Sequence, residues 1–229
     1  MRSALRALGD EKIAAHSRGF FKAFPGGYGE GDRFLGIRVP AVRRQVKAFR
    51  DAPLRAVRSL LRSGYHEERL FAVLLLADQY CHGDAGHQQR IYDLYMDNRA
   101  FVNNWDIVDS SAHLIVGPHL EGGDRSILTG LAASDVLWDR RISMMATYHY
   151  IRQGDFRDTL KIAKILREDE HDLIHKVVGW MLREVGNRDR KAEERFLKSH
   201  YATMPRTMLR YAIEKFPEQR RKAYLHGKV

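Results

Sequence analysis

The sequence predicts an all-α fold, an α-solenoid of stacked helix pairs with a concave basic face. Apolar residues recur with a period near 3.6 along most of the chain, where a strand would alternate with a period of 2. Helix pairs recur at a nearly constant spacing. Lysine and arginine total 39 against 29 acidic residues, a net charge of +10 and a pI near 9.8, which favours a polyanionic partner, nucleic acid before membrane.

Taken in order, residues 3 to 24 read as one helix, with Leu5, Leu8, Ile13, Phe20 and Phe21 on its apolar face. PGGYGEGD, Pro25 to Asp32, reads as a loop. It does not read as a phosphate loop, because it lacks the third glycine of GxGxxG and any GK[ST], and because Glu30 and Asp32 would repel phosphate. Ten helical segments follow, at 38–49, 52–64, 66–80, 87–98, 125–134, 137–151, 156–169, 173–186, 192–201 and 205–216, with NNWDIVDSSA between the fourth and fifth.

The segments starting at Glu67, Asn104, Asp139, His175 and Arg206 align with offsets of 37, 35, 36 and 31 residues, each preceded by one other helix. A helix pair repeating at this period is the signature of HEAT-like repeats, in which no repeat closes a core alone and stacking buries a continuous one. We therefore expect one repeat domain over residues 1–229, helices of 1–50 forming a cap and repeats running from about 51, with the second helix of each pair lining one surface. With 44% hydrophobic residues the chain is long enough to bury a full core.

Within NNWDIVDSSA, Trp105 and Asp109 lie four residues apart, so a helix places an indole and a carboxylate one above the other on one face. A core helix has no use for the carboxylate and a solvated one has none for the ring; the mixture suits a pocket wall. Asn103 or Asn104 suits a helix N-cap, with Asp106 in the first turn, where the helix dipole favours an acid and where substitution by asparagine is expected to leave function near native. The repeat alignment adds Trp138 and Arg141, then His175, Lys176, Trp180 and Arg183, then Arg206 and Arg210 on successive second helices. All three tryptophans of the chain fall in this series. Packing in the core is the ordinary fate of a helical tryptophan, but three on successive repeats interleaved with arginine point to a surface that meets nucleic acid. Trp105, Asp109, Arg141 and Trp180 are expected to converge there.

Other chemistries fit poorly. His171 and His175 have the spacing of a zinc-protease helix, but Asp172 stands where HExxH has its glutamate and no third ligand is evident. Ser110 and Ser111 lack the flanking glycines of a nucleophile elbow. The lone Cys81 excludes an internal disulfide and a cysteine-ligated cluster, and its place at the end of an apolar helix suggests packing. Charges interrupt the N-terminus before a signal-peptide core forms, so a cytoplasmic protein with no membrane partner is expected.

NNWDIVDSSA, LWDRRI, IHKVVGWMLREVG, MPRTMLRYAIEKFP and the N-terminal YGEGDRFLGIRVPAVR resemble bacterial DNA alkylation repair proteins of the AlkD type, HEAT-like-repeat DNA glycosylases, over nearly the whole chain. The resemblance implies a monomeric enzyme that removes cationic N3- and N7-alkylated purines from double-stranded DNA without metal or cofactor. It also implies that the family's catalytic aspartate, four residues after a tryptophan in WDxxD, is Asp109 after Trp105. The tryptophan of its GWxLRE string matches Trp180, and its arginine three residues after a tryptophan matches Arg141 after Trp138. The PGGYGEGD loop departs from the family's form, and no role carries over to Tyr28. The residues suit that chemistry on their own terms: a carboxylate stabilises an oxocarbenium-like sugar, aromatic faces attract the cation, and arginines and lysines hold phosphates. Two alternatives are a noncatalytic solenoid that binds bent or damaged duplex and a protein-binding scaffold.

Overall fold

The computed structural model describes all residues, 1–229. It is 67% helix with no strand and its helices pack in repeats, as in an α-solenoid. The chain divides into two compact units, residues 1–119 and 120–229.

In the first unit, α1 (Arg2–Arg6) and α2 (Glu11–Phe20) replace the expected single helix. Asp10 breaks the run by capping α2, its side chain accepting from the Ile13 N–H at 2.9 Å. Gly36, in a long connection to α3 (Val39–Ala48), has φ +79, and a Cβ there would sit 1.9 Å from the Asp10 carbonyl oxygen, so only glycine fits the approach. Pro40 opens α3 at a position where its missing N–H costs nothing. The pairs α4 (Leu54–Leu61) with α5 (His66–His82), and α6 (Ala85–Asp97) with the broken helix α7 (Trp105–Asp109) and α8 (Ala112–His119), complete the unit. Helix α5 is its axle, packed against α3, α4, α6, α7 and α8. Its apolar residues are buried all round, which is why no single stripe marks it in the sequence. Cys81, near its end, is exposed rather than packed, on the side of the last turn opposite buried Gln79 and Tyr80.

The second unit holds α9 (Ser126–Ala132) with α10 (Leu137–Ala146) and the short α11 (Tyr148–Ile151), α12 (Arg157–Leu166) with α13 (Asp172–Gly186), α14 (Arg190–His200) with α15 (Arg206–Ala212), and a final α16 (Glu218–Leu225) that the apolar spacing did not mark. Helix α13 packs against α10, α12, α14 and α15. Gly179 permits the last of these contacts, since a Cβ there would lie 2.4 Å from the Met208 carbonyl oxygen. The pairs are those of the repeat alignment, with starts within a few residues of the expected ones.

Where α13 meets α14, Glu193 is 1% exposed and fills the space above Gly186, whose missing Cβ would stand 1.7 Å from Oε2. Burial pushes its carboxyl up to about 8, against the pull of Arg190 and Arg183 and with the help of Glu194. A carboxyl raised by folding costs stability progressively as the pH climbs from the ordinary carboxylate range, about 4.3, to about 8. Glu193→Gln should therefore melt with the native chain at pH 4.5 and several degrees above it at pH 8, as read by circular dichroism. Equal melting at both values would show that the group is not held neutral.

Candidate active site

The NNWDIVDSSA turn folds as its composition directs. Asn104 is the N-cap of α7, its Oδ1 accepting from the Trp105 N–H at 2.8 Å, and it is fully buried. The helix stops after five residues because Ser111 turns its hydroxyl back to the Ile107 carbonyl at 2.7 Å while pairing with the Tyr95 hydroxyl at 2.9 Å. Ile107 and Val108 are fully buried, which leaves Trp105 and Asp109 on the half-buried face. A helix this short has no stability of its own, so its neighbours decide where these two side chains point.

Those neighbours form an aromatic stack that the sequence did not single out. The Trp105 ring lies 5.6 Å from Phe21 and meets Phe20 edge-on at 6.0 Å. Phe21 stacks on Phe34 at 5.4 Å and on the His66 ring at 4.5 Å, and Phe34 lies 5.1 Å from His66. Phe20 was expected on the apolar face of a longer helix, but it is 57% exposed, because the chain turns away directly after it. Phe21 and Lys22, the latter at φ 49, make that turn, and the PGGYGEGD loop follows it. A Cβ on Gly29 would lie 2.3 Å from the Phe21 carbonyl and one on Gly27 1.9 Å from that of Lys22, so the loop lies flat against the backbone that carries the phenylalanines.

Beneath the stack runs a buried chain of charge. His66 is 2% exposed; its Nε2 lies 2.8 Å from Asp106 Oδ2 and its Nδ1 lies 3.4 Å from Asp32 Oδ2. Arg69 donates to Asp32 at 2.6 Å and to the Ser63 carbonyl at 3.0 Å. Burial alone would lower the imidazole, but the hydrogen bonds to Asp106 and Asp32 outweigh it and carry His66 up to about 9. Burial likewise works against ionised Asp32, yet His66 and Arg69 hold its carboxyl below the usual range. His66 is therefore an imidazolium at neutral pH. Asp106 sits in the first turn as expected, but as the partner of a buried cation, so it does not serve as a neutral comparison for Asp109.

The remaining candidates lie in the second unit on α10, α13 and α15, with α13 next to both others. Arg141 is 4% exposed and donates to the Leu173 carbonyl at 2.6 Å, which ties α10 to α13. Trp180 is half-buried beside Tyr148, 6.3 Å between centroids, and its indole N–H donates to Glu184 at 3.3 Å. Lys176 pairs with Asp172 at 2.6 Å, and Arg183 pairs with Glu214. Arg206 and Arg210 are exposed on α15, Arg206 donating to the Leu225 carbonyl at 3.0 Å; Trp138 is half-buried on α10. The two histidines of HDLIH serve the backbone. His171 caps α13 by accepting from the Leu173 N–H at 3.1 Å, and His175 bonds the Asp169 carbonyl.

The functional residues that sequence reasoning missed are His66, Asp32 and Arg69. For His66 and Arg69 the one signal was the run of charged residues at 66–69, directly ahead of the apolar stretch 70–77 in the same helix; Asp32 had none. Asp106→Asn keeps an acceptor for the His66 proton but removes its charge, and should cost on the order of 1–3 kcal/mol in urea unfolding at pH 7. A raised histidine contributes fully below about 6.5 and loses its contribution as the pH passes through about 9. The cost should therefore shrink by pH 9.5, and a cost that stays constant would remove the charge from the account.

The family model described as DNA alkylation repair enzyme matches residues 1–216. A solved structure described as a predicted DNA alkylation repair enzyme from Enterococcus faecalis is similar in fold, with a TM-score of 0.70 over 92% of this chain and 97% of that one at 15% sequence identity. Comparison with curated proteins finds no match.

Proposed function

The chain belongs to the family of DNA alkylation repair enzymes, and from that premise we propose that it is a DNA glycosylase that hydrolyses the N-glycosidic bond of cationic N3- and N7-alkylated purines in double-stranded DNA. The observation that carries this reading is the pairing of Trp105 and Asp109 on one face of α7, both half-buried, over an aromatic stack.

Alkylation at N3 or N7 gives the purine a formal positive charge, so the base already leaves readily. As the bond from C1′ to nitrogen breaks, its electron pair passes to the purine and neutralises it, and positive charge appears on the sugar. The Asp109 carboxylate placed against that sugar stabilises the charge and orients a water, whose oxygen adds to C1′ as its proton passes to that carboxylate and on to solvent. The face of Trp105 attracts the cation, worth about 0.5–2 kcal/mol when desolvated. No proton needs to be delivered to the leaving base, which fits a site whose nearest buried imidazolium is committed to two carboxylates. Lys176, Arg183, Arg206 and Arg210 hold phosphates, with Trp138 and Arg141 supporting that surface. These contacts position the duplex without reading its sequence. No helix is long and apolar enough to cross a membrane. The protein acts on its own as a monomer.

Asp109→Asn keeps shape and hydrogen-bonding capacity but removes a charge that matters only as the bond breaks. Release of 7-methylguanine from duplex should fall by roughly 10² to 10³ with duplex binding retained, while Asp97→Asn, an exposed carboxylate on α6, should leave it unchanged. If the native chain releases neither 7-methylguanine nor 3-methyladenine while binding duplex, a noncatalytic binder replaces the glycosylase. For the phosphate contacts, Lys176→Ala and Arg210→Ala should each weaken binding to all duplex sequences alike and flatten the slope of log K against log salt by about one unit. Binding that does not respond to salt would return the chain to the scaffold reading. Arg141 is unsuited to this experiment, because its removal also breaks the bond between α10 and α13.

A further inference from the structure

We propose that His66 is a positioning residue for the reaction: by bridging Asp32 of the N-terminal loop and Asp106 of α7, it fixes the turn that carries Trp105 and Asp109. This rests on the glycosylase reading of that turn.

Little within α7 itself holds it in place. A five-residue helix contributes little hydrogen bonding of its own, and it ends in a serine break instead of continuing into α8. Ile107 and Val108 anchor the buried side. On the other side, a charged pair ties α7 to the rest of the unit, His66 to Asp106 at 2.8 Å. Asp106 directly follows Trp105 and precedes Asp109 by three residues, so a shift of its carboxylate turns both. The same imidazole stacks on Phe21, whose ring lies against Trp105. His66 thus touches α7 twice, once through charge and once through the aromatic stack. Around the imidazole the loop gives Asp32, its own helix gives Arg69, α7 gives Asp106, and Phe21 at the C-cap of α2 and Phe34 give uncharged rings. Glutamine at this position carries both its N–H donors on one nitrogen, turns a carbonyl oxygen toward the second carboxylate and has no charge, and so cannot serve both.

A contact that only supports folding would move stability and nothing else. A positioning contact also couples the charge on His66 to the surroundings of Trp105, and separates the rate of the chemical step from duplex affinity. The test uses the full chain labelled with 5-fluorotryptophan and with nitrogen-15 histidine, Trp105 being assigned by the resonance missing from Trp105→Phe. In the native chain the Trp105 fluorine signal should move with the same midpoint as the His66 imidazole, near pH 9, and that movement should vanish in His66→Gln. At neutral pH, single-turnover release of 7-methylguanine by His66→Gln should fall about 10- to 100-fold, as expected for a misplaced catalytic group, with duplex affinity within about twofold of native. A Trp105 signal that stays flat while His66 titrates overturns the proposal, and so does a variant that excises at the native rate. The titration of the native chain needs no variant to fold. If the native chain releases no base at all, the glycosylase reading fails separately, and a shared midpoint still upholds the coupling of His66 to the turn.

Discussion

The first unit depends on four consecutive polar residues at the start of its central helix, His66-Glu67-Glu68-Arg69, all 3% exposed or less. Together they reach back to three parts of the N-terminal segment. Glu67 accepts the N–H groups of Leu35, Gly36 and Ile37 at 2.8, 2.8 and 3.2 Å, gathering three backbone donors that no helix or sheet satisfies. Glu68 receives Arg2 and Arg6 from α1 at 3.2 and 3.1 Å. His66 and Arg69 take Asp32 from the loop, and the backbone of Arg33 pairs with that of Gly64 and His66 on either side of Tyr65. Buried charge costs desolvation unless its partners are complete. Here each member has one, so the same residues that would weaken an isolated helix fix the N-terminal cap in a single register.

That arrangement explains how a loop rich in glycine presents aromatic side chains without losing its shape. Pinned at Asp32 and through the backbone of residues 35–37, the segment before α3 has little freedom left, and Gly27 and Gly29 let it lie against the backbone of Phe21 and Lys22. The outcome is a stack from Phe34 through Phe21 to Trp105, with Phe20 at its open edge. In the second unit the same economy appears in apolar form. Gly179 brings α15 onto α13, and one arginine, Arg141, is buried to join α10 to α13 through a carbonyl. Helices held in these ways can carry arginines outward on α15 without depending on them for stability.

How much of this was legible in the sequence follows from the range of each interaction. Helix pairs were legible because amphipathic spacing is local, and Asn104 as a cap because capping involves neighbours in the chain. The division of residues 2–20 into two helices was not, since Leu5, Leu8 and Ile13 keep helical spacing across a break made by Asp10 and the close approach of Gly36. Trp105 and Asp109 could be paired from their spacing, whereas the Asp32, His66 and Asp106 chain joins residues 34 and 40 positions apart. Periodicity holds no information about such partners. The acidic residues of the loop read as solvated, and one of them is buried between two cations.

The charge in that chain also bears on why it should be buried at all. With His66 protonated, the two carboxylates face an imidazolium and a guanidinium, and the group is neutral as a whole. A neutral cluster imposes little net field on its surroundings, so the electrostatics at the Trp105 face are left to Asp109 and to whatever charge develops on a bound sugar. Were His66 neutral, a net negative charge would lie directly under α7. It would repel the phosphates that a DNA-binding surface must approach, and it would attract cation and ground state alike, which lowers no barrier. On the proposed glycosylase reading, a rigid and internally compensated foundation lets one carboxylate act selectively on charge that appears only as the bond breaks, and rigidity under a site of that kind converts a surface ion into a source of rate.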